Sequence, residues 1–172
     1  MKLNIAFGLI TTVVLGFGHV HAQSNWPSGQ TVRVIVPFPG GASTLDSVVR
    51  TLTPETSKAL ASPVIVDNRP GAGTVIGVDA TAKATDGNTV GGVANSFTVN
   101  QTLVKNLPYN TTKDLQAVIL MAKTANVLAV RPGLPVNNLK ELIAYAKKNP
   151  GKLSYGSFGN GTTAHFAGEM LK

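Results

Sequence analysis

The sequence contains no cysteine. Disulfides are therefore excluded, and so is a lipid anchor on an N-terminal cysteine. Histidine is scarce as well: His19 and His21 lie in the first 22 residues, and His165 is the only one after them. Beyond residue 22 a multi-histidine metal site is excluded, and any Ser-His-Asp arrangement must use His165. There is no Walker pattern, no internal repeat, no low-complexity tract and no basic run interleaved with aromatics. Nucleic acid is not an expected partner.

What is present begins with an export signature. Met1-Lys2-Leu3 forms a short positive region, Ile5 to Phe17 is apolar, and Val20-His21-Ala22 places small residues where a signal peptidase cuts. This predicts a signal peptide over residues 1–22, cleaved after Ala22, because the apolar part is too short to span a bilayer. The alternative is a membrane anchor or a buried N-terminal strand. With the signal removed, no direct membrane insertion is expected. A cysteine-free exported chain of this size fits a bacterial periplasm. Lys2 is the only charge before Ala22, so the remainder carries fourteen basic and eight acidic residues, net +6. The basic residues are scattered, and the positive field would favour small anions or serve solubility alone.

After a linker from Gln23 to Gly29, the chain alternates strand-like and helix-like segments. Thr31–Val36 predicts a strand, Leu45–Leu60 a helix with Ser43 or Thr44 as N-cap, and Pro54 a kink or restart near Thr53. Further strands are predicted at Pro63–Val66, Thr89–Ala94 (buried), Val118–Met121, Asn126–Val130 and Lys152–Tyr155. Helices are predicted at Thr74–Ala84, after Ser96 as far as Lys105, at Asn138–Lys148 with Asn138 and Glu141 as a capping box, and from Thr163 onward. The alternation argues for an α/β fold with a largely parallel sheet. The polar run Lys123-Thr124-Ala125-Asn126 is the candidate crossover between a first α/β domain, 23–124, and the start of a second, 125–172.

Two loops could carry chemistry. The first, Pro37 to Thr44, has Gly40 and Gly41 between a strand and a helix, where backbone N–H groups converge on an anion. The second is Gly156-Ser157-Phe158-Gly159-Asn160-Gly161-Thr162-Thr163, with the same strand-to-helix placement and added hydroxyls. Facing one another across two domains, they would make a cleft for a carboxylate. Each loop also has a purely structural reading as a tight turn. Asp46 either caps its own helix or meets a ligand, and Asn95 and Ser96 follow a strand that could line the same cleft. His165 packs or caps beside the second loop, or touches the ligand. Asn68-Arg69-Pro70-Gly71-Ala72-Gly73 is either a third anion loop or a tight connection in which Arg69 pairs with an acid. Gly159-x-Gly161-x-x-Ala164 also matches a dinucleotide fingerprint, whose acid about twenty residues on would fall beyond Lys172.

An ordered set of pieces resembles the extracytoplasmic solute receptors of the tripartite tricarboxylate transporter system, the Bug family. These are Trp26-Pro27, Val36-Pro37-Phe38-Pro39-Gly40-Gly41 with Asp46 and Arg50, Asn68-Arg69-Pro70-Gly71-Ala72-Gly73, Asp86-Gly87 and Leu107-Pro108-Tyr109. Leu139-Lys140-Glu141-Leu142 and Pro150 to Ser157 running into Gly159-Asn160-Gly161-Thr162 complete it. The resemblance implies a type II periplasmic-binding-protein fold of two α/β domains, without catalysis or cofactor. It also implies a small organic acid ligand, membrane transporter subunits as partners, and a monomer at full length. By position it carries over Phe38, Pro39, Gly40, Gly41, Ala42, Ser43 and Asp46 from the first loop, then Asn95 and Ser96. From the second come Ser157, Phe158, Gly159, Asn160, Gly161, Thr162 and Thr163, with His165 close by. Two departures stand out. The family more often has another residue before the first-loop glycines and reaches the acid sooner. Its members are also roughly twice this long, so the second domain and the first domain's return segment are expected to be incomplete. Apolar residues such as Phe158, Phe166 and Leu171 would then lie exposed beside an unpaired sheet edge, and the chain alone would bind weakly or aggregate.

Two other classes remain open. One is an exported hydrolase-like enzyme using Ser157 or Thr162 with His165, its ring oriented by Glu169 one helical turn away. The other is a truncated, nonbinding remnant.

Overall fold

The computed structural model describes Trp26, Pro27 and residues 29–172. The predicted signal peptide and the first residues of the linker lie outside the described residues. Three parallel strands form the sheet: β1 (Val32–Val36), β2 (Val64–Asn68) and β3 (Thr89–Gly91), in the order β2-β1-β3. Val32 lies opposite Val64 and Val36 opposite Asn68, while Arg33 lies opposite Thr89. The α/β class with a parallel sheet is as the sequence predicts.

Helix α1 (Thr44–Leu60) follows β1. Ser43 is its N-cap, its Oγ accepting the Asp46 N–H at 3.1 Å, which satisfies one orphan amide of the first turn. The helix runs through Pro54 as one element, so of the expected kink or restart the restart does not occur. Thr53 Oγ1 bonds back to the Val49 carbonyl at 2.7 Å beside it, a local bond that tends to bend helices. A 3₁₀ turn (Ala72–Thr74) leads into α2 (Val75–Ala82), so the predicted Thr74 helix start is displaced by one left-handed residue. Helix α3 spans Ser96–Leu103, α4 Leu139–Lys148 and α5 Thr163–Met170.

The core has two centres. Val36, Phe38 and Val49 join β1 to α1, with Leu45, Val66 and Ala94 packed around them. Val75, Val78 and Tyr109 join α2 to the turn after α3, supported by Phe97 and Leu107. Val36 and Val78 are almost wholly enclosed, and each such side chain contributes about 1.5–3 kcal/mol of burial. Gly77 lets α2 press onto the end of β1. A Cβ there would lie 2.7 Å from Pro37 Cβ and 2.8 Å from the Arg69 carbonyl oxygen.

Four strand predictions need correction. β3 is a three-residue edge strand and not a buried one: Val90 is 40% exposed. Val118–Met121, Asn126–Val130 and Lys152–Tyr155 are extended but form no strand. Val118 is 89% and Val127 88% exposed. β-propensity becomes a strand only when a neighbour supplies the ladder and a face to pack on, and among the described residues none does so here. Helix α4 has the expected apolar spacing but no buried residue. Its capping box is real in one half: Asn138 Oδ1 accepts the Glu141 N–H at 3.0 Å. The return bond from Glu141 Oε2 goes to the backbone N–H of Asn137, at 2.7 Å, and not to that of Asn138.

Candidate functional site

The loops after β1, β2 and β3 all leave the carboxyl ends of parallel strands, the end at which open α/β sheets bind ligands. In the first loop, Phe38 points into the core while Pro39, Gly40, Gly41 and Ala42 are exposed. Asp46 shapes this loop from within. Its side chain is fully buried, and Oδ2 accepts Gly41 N–H at 2.7 Å and Arg50 Nε at 2.9 Å. Its Oδ1 accepts Asn68 Nδ2 at 2.7 Å. The same Asn68 nitrogen donates to the Phe38 carbonyl at 3.0 Å. The Arg50 hydrogen bond, followed by those from Asn68 and Gly41, holds the Asp46 carboxyl at about 2 against the opposing effect of burial. Asp46 thus turns its charge inward and braces the first loop, the structural one of its two readings.

The third loop takes its blander reading: Arg69 Nε pairs with Asp67 Oδ2 at 3.0 Å. Its next residues do something the sequence did not suggest. Gly71, Ala72, Gly73 and Thr74 all have positive φ, at 128°, 47°, 60° and 81°. For a β-branched residue such as Thr74 this is a strained conformation, and surrounding bonds over-determine it. Thr74 N donates to Gly71 O at 3.0 Å, its Oγ1 lies 2.9 Å from Ser96 Oγ, and Asn100 Nδ2 donates to Gly73 O at 2.9 Å. Strain of this kind concentrates at ligand clamps and other functional sites. Ser96 is therefore an interior member of this network with no exposed surface, while its neighbour Asn95 is exposed.

The second loop packs directly against this strained turn. A Cβ on Gly73 would lie 2.8 Å from the Asn160 carbonyl oxygen, and one on Gly161 3.2 Å from Asn100 Oδ1. Within the loop, Thr162 caps α5: its Oγ1 accepts the His165 N–H at 3.4 Å and donates to Gly159 O at 2.7 Å. His165 Nδ1 accepts the Gly161 N–H at 3.4 Å. Ser157 Oγ accepts the Gly159 N–H at 3.4 Å, and Thr163 Oγ1 donates to Asn126 Oδ1 at 3.0 Å. Phe158 is 64% exposed, with Phe166 at 42% and Leu171 at 38%, as expected for these three.

Together the turn, α3 and the second loop enclose an open recess of about 420 Å³, lined by Ala72, Gly73, Asn100, Leu103, Val104, Asn160 and His165. Of the predicted site residues, Asn160 and His165 line it. Phe38 to Ser43, Asp46, Asn95, Ser96, Ser157, Phe158, Gly159, Gly161, Thr162 and Thr163 do not. The second wall that meets Ser157 to Thr163 is thus the Ala72-Gly73 turn with α3. Ala72 and Gly73 belong to the run readable as either a third anion loop or a tight connection, whereas nothing local marks Asn100, Leu103 or Val104.

The enzyme alternative loses its geometry. Neither Ser157 nor Thr162 has its hydroxyl bonded to the His165 ring. Glu169 is spent on Tyr155 OH at 2.5 Å and Lys172 Nζ at 2.6 Å. A nucleophile needs a base within reach. Among the described residues no cluster of three or more His, Asp or Glu side chains could hold a metal ion.

A parallel α/β unit whose turn after β2 meets α3 and a glycine-rich loop around a partly polar recess offers a place for a small molecule. Comparison with known proteins specifies which kind. The profile of the tripartite tricarboxylate transporter family receptor, TctC, matches residues 48–172, and the chain belongs to this family of binding proteins. It is 40% identical over 166 residues to a UPF0065 protein of Bordetella pertussis, covering 95% of this chain and 50% of that one. A solved periplasmic transporter shares 41% identity with a TM-score of 0.77, covering 85% of this chain and 49% of the other. A protein of R. palustris solved with adipate shares 30% identity with a TM-score of 0.79, covering 85% and 49%. The chain spans about half the length of the relatives it matches. These relatives bear out the resemblance read from the sequence.

Proposed function

We propose that this chain is the ligand-recognising portion of a periplasmic receptor for a small carboxylate, delivering it to a membrane transporter of the tripartite tricarboxylate type. The observation that carries this reading is the recess, where an amide-rich loop and the N-terminus of α5 meet a strained turn. Backbone amides and a helix dipole favour a negative group there without any formal positive charge. The adipate held by the R. palustris relative supports an aliphatic carboxylate. Residues 1–22 act as the export signal, 23–124 as a first domain and 125–172 as the start of a second. In this reading the second loop, Ser157 to Thr163, contacts the ligand directly. Pro39 to Ser43 and Asn95 do not line the recess and in this reading act on the ligand through bridging water.

The test is calorimetric titration of adipate and malate into the purified chain, beside the uncharged diamide of adipic acid. Weak heat and a small thermal shift with a carboxylate, but none with the diamide, are expected of a chain that spans about half the length of its relatives. A chain that stays folded and monodisperse yet responds to no carboxylate would sink the proposal and favour the nonbinding remnant.

A further inference from the structure

Among the described residues lining the recess, His165 is the one titratable group; no Lys, Arg, Asp or Glu joins it. Its Nδ1 already accepts the Gly161 N–H. A neutral imidazole has one donor and one acceptor nitrogen, so an occupied Nδ1 acceptor leaves the proton on Nε2. Asn100 Nδ2 donates to Gly73 O at 2.9 Å and faces Thr74 Oγ1 at 3.5 Å, so it is directed toward the turn. The lining also includes the apolar residues Ala72, Leu103 and Val104.

We propose that His165 is the specificity-determining residue of this recess: it holds the second loop through Nδ1 and presents Nε2–H as a neutral donor to a carboxylate whose aliphatic chain lies against Leu103 and Val104. This rests on the carboxylate-receptor reading above and adds a residue and a mode of recognition to it. A donor at this position favours a carboxylate over an ammonium group. An uncharged lining makes binding depend weakly on salt, because there is no cation to screen.

The experiment combines nitrogen-15 NMR of the imidazole with adipate titration of the whole chain and two variants. In its neutral form the ring should be protonated at Nε2 and bare at Nδ1. His165→Asn keeps an acceptor near the Nδ1 position and removes the Nε2 donor. It should preserve the hydrogen-exchange protection of the Gly161 amide and weaken adipate about tenfold, as loss of one hydrogen bond to a charged group predicts. His165→Gln should lose that protection. An Nδ1–H tautomer would overturn the assignment, as would a His165→Asn variant that binds adipate as tightly as the parent. Should the parent not respond to adipate at all, the receptor reading fails for that ligand. The tautomer and the Gly161 exchange then decide the loop-holding half of the proposal, and the donor half falls with the ligand.

Discussion

Asn68 and Asp46, on different elements 22 residues apart, are joined by a 2.7 Å bond from Nδ2 to Oδ1. Asn68 Oδ1 in turn accepts Arg50 Nη2 at 2.6 Å. The end of β2 is thereby bolted to the first turn of α1 and, through Phe38 O and Gly41 N–H, to the first loop.

Removing Asn68 should loosen that loop more than any exposed residue in it. Asn68→Ala leaves a buried carboxylate oxygen short of a donor, which costs about 1–3 kcal/mol. Urea unfolding should show a lower midpoint with an unchanged slope. Ala42→Ser, on the exposed tip, should unfold like the parent.

The Asp46 carboxyl sits at about 2, below its ordinary 3.8. A depressed carboxylate stabilises the fold above its unfolded value, and that contribution is lost as pH falls through the folded one. The parent's advantage over Asp46→Asn should therefore be full above about pH 4 and shrink steadily toward pH 2. Denaturation midpoints of both proteins at pH 6, 4 and 2.5, read as a difference, isolate this group from the other carboxylates. A gap that stays constant with pH would show that the Asp46 charge is not what the network uses.

Gly73→Ala adds a Cβ only 2.8 Å from the Asn160 backbone oxygen, at a φ of +60°. Backbone cannot step aside as a flexible side chain does, so the second loop must move. Adipate affinity should fall by at least tenfold, which corresponds to about 1.4 kcal/mol. The thermal midpoint should fall less than for Gly77→Ala, whose clash lies in the packed contact between α2 and β1. Equal losses of midpoint would argue against this separation of site from core.

Ala61 ends α1 in the left-handed conformation, φ 47°, with Ser62 N–H bonded to Ser57 O at 3.2 Å. Glycine is the residue that tolerates this C-terminal position without steric cost. Ala61→Gly should raise stability by about 0.5–1 kcal/mol, after allowing for glycine's extra freedom in the unfolded chain. Thermal unfolding far from the recess gives the check, with adipate binding unchanged.

Much of the fold was readable locally. Ser43, Asn138 and Thr162 are hydroxyl or amide caps placed just before helical spacing begins, and each caps as its chemistry predicts. Val32–Val36 and Val64–Asn68 have enough β-branched residues to declare themselves. Val118–Met121 and Asn126–Val130 are also mostly apolar with two β-branched residues each and failed, because a strand is a relation between two segments and composition describes only one.

Residues close together in the chain were enough to set the α/β class, the caps, the glycine-rich loop after β1 and the family signature. Packing in three dimensions was needed to turn Asp46 inward, to make Ser96 interior, and to bring the second loop against Gly73 and Asn100. Each of those is a choice of partner among polar groups far apart in sequence. Burial makes the choice, since a polar atom removed from water must take whichever partner the packed fold brings within reach.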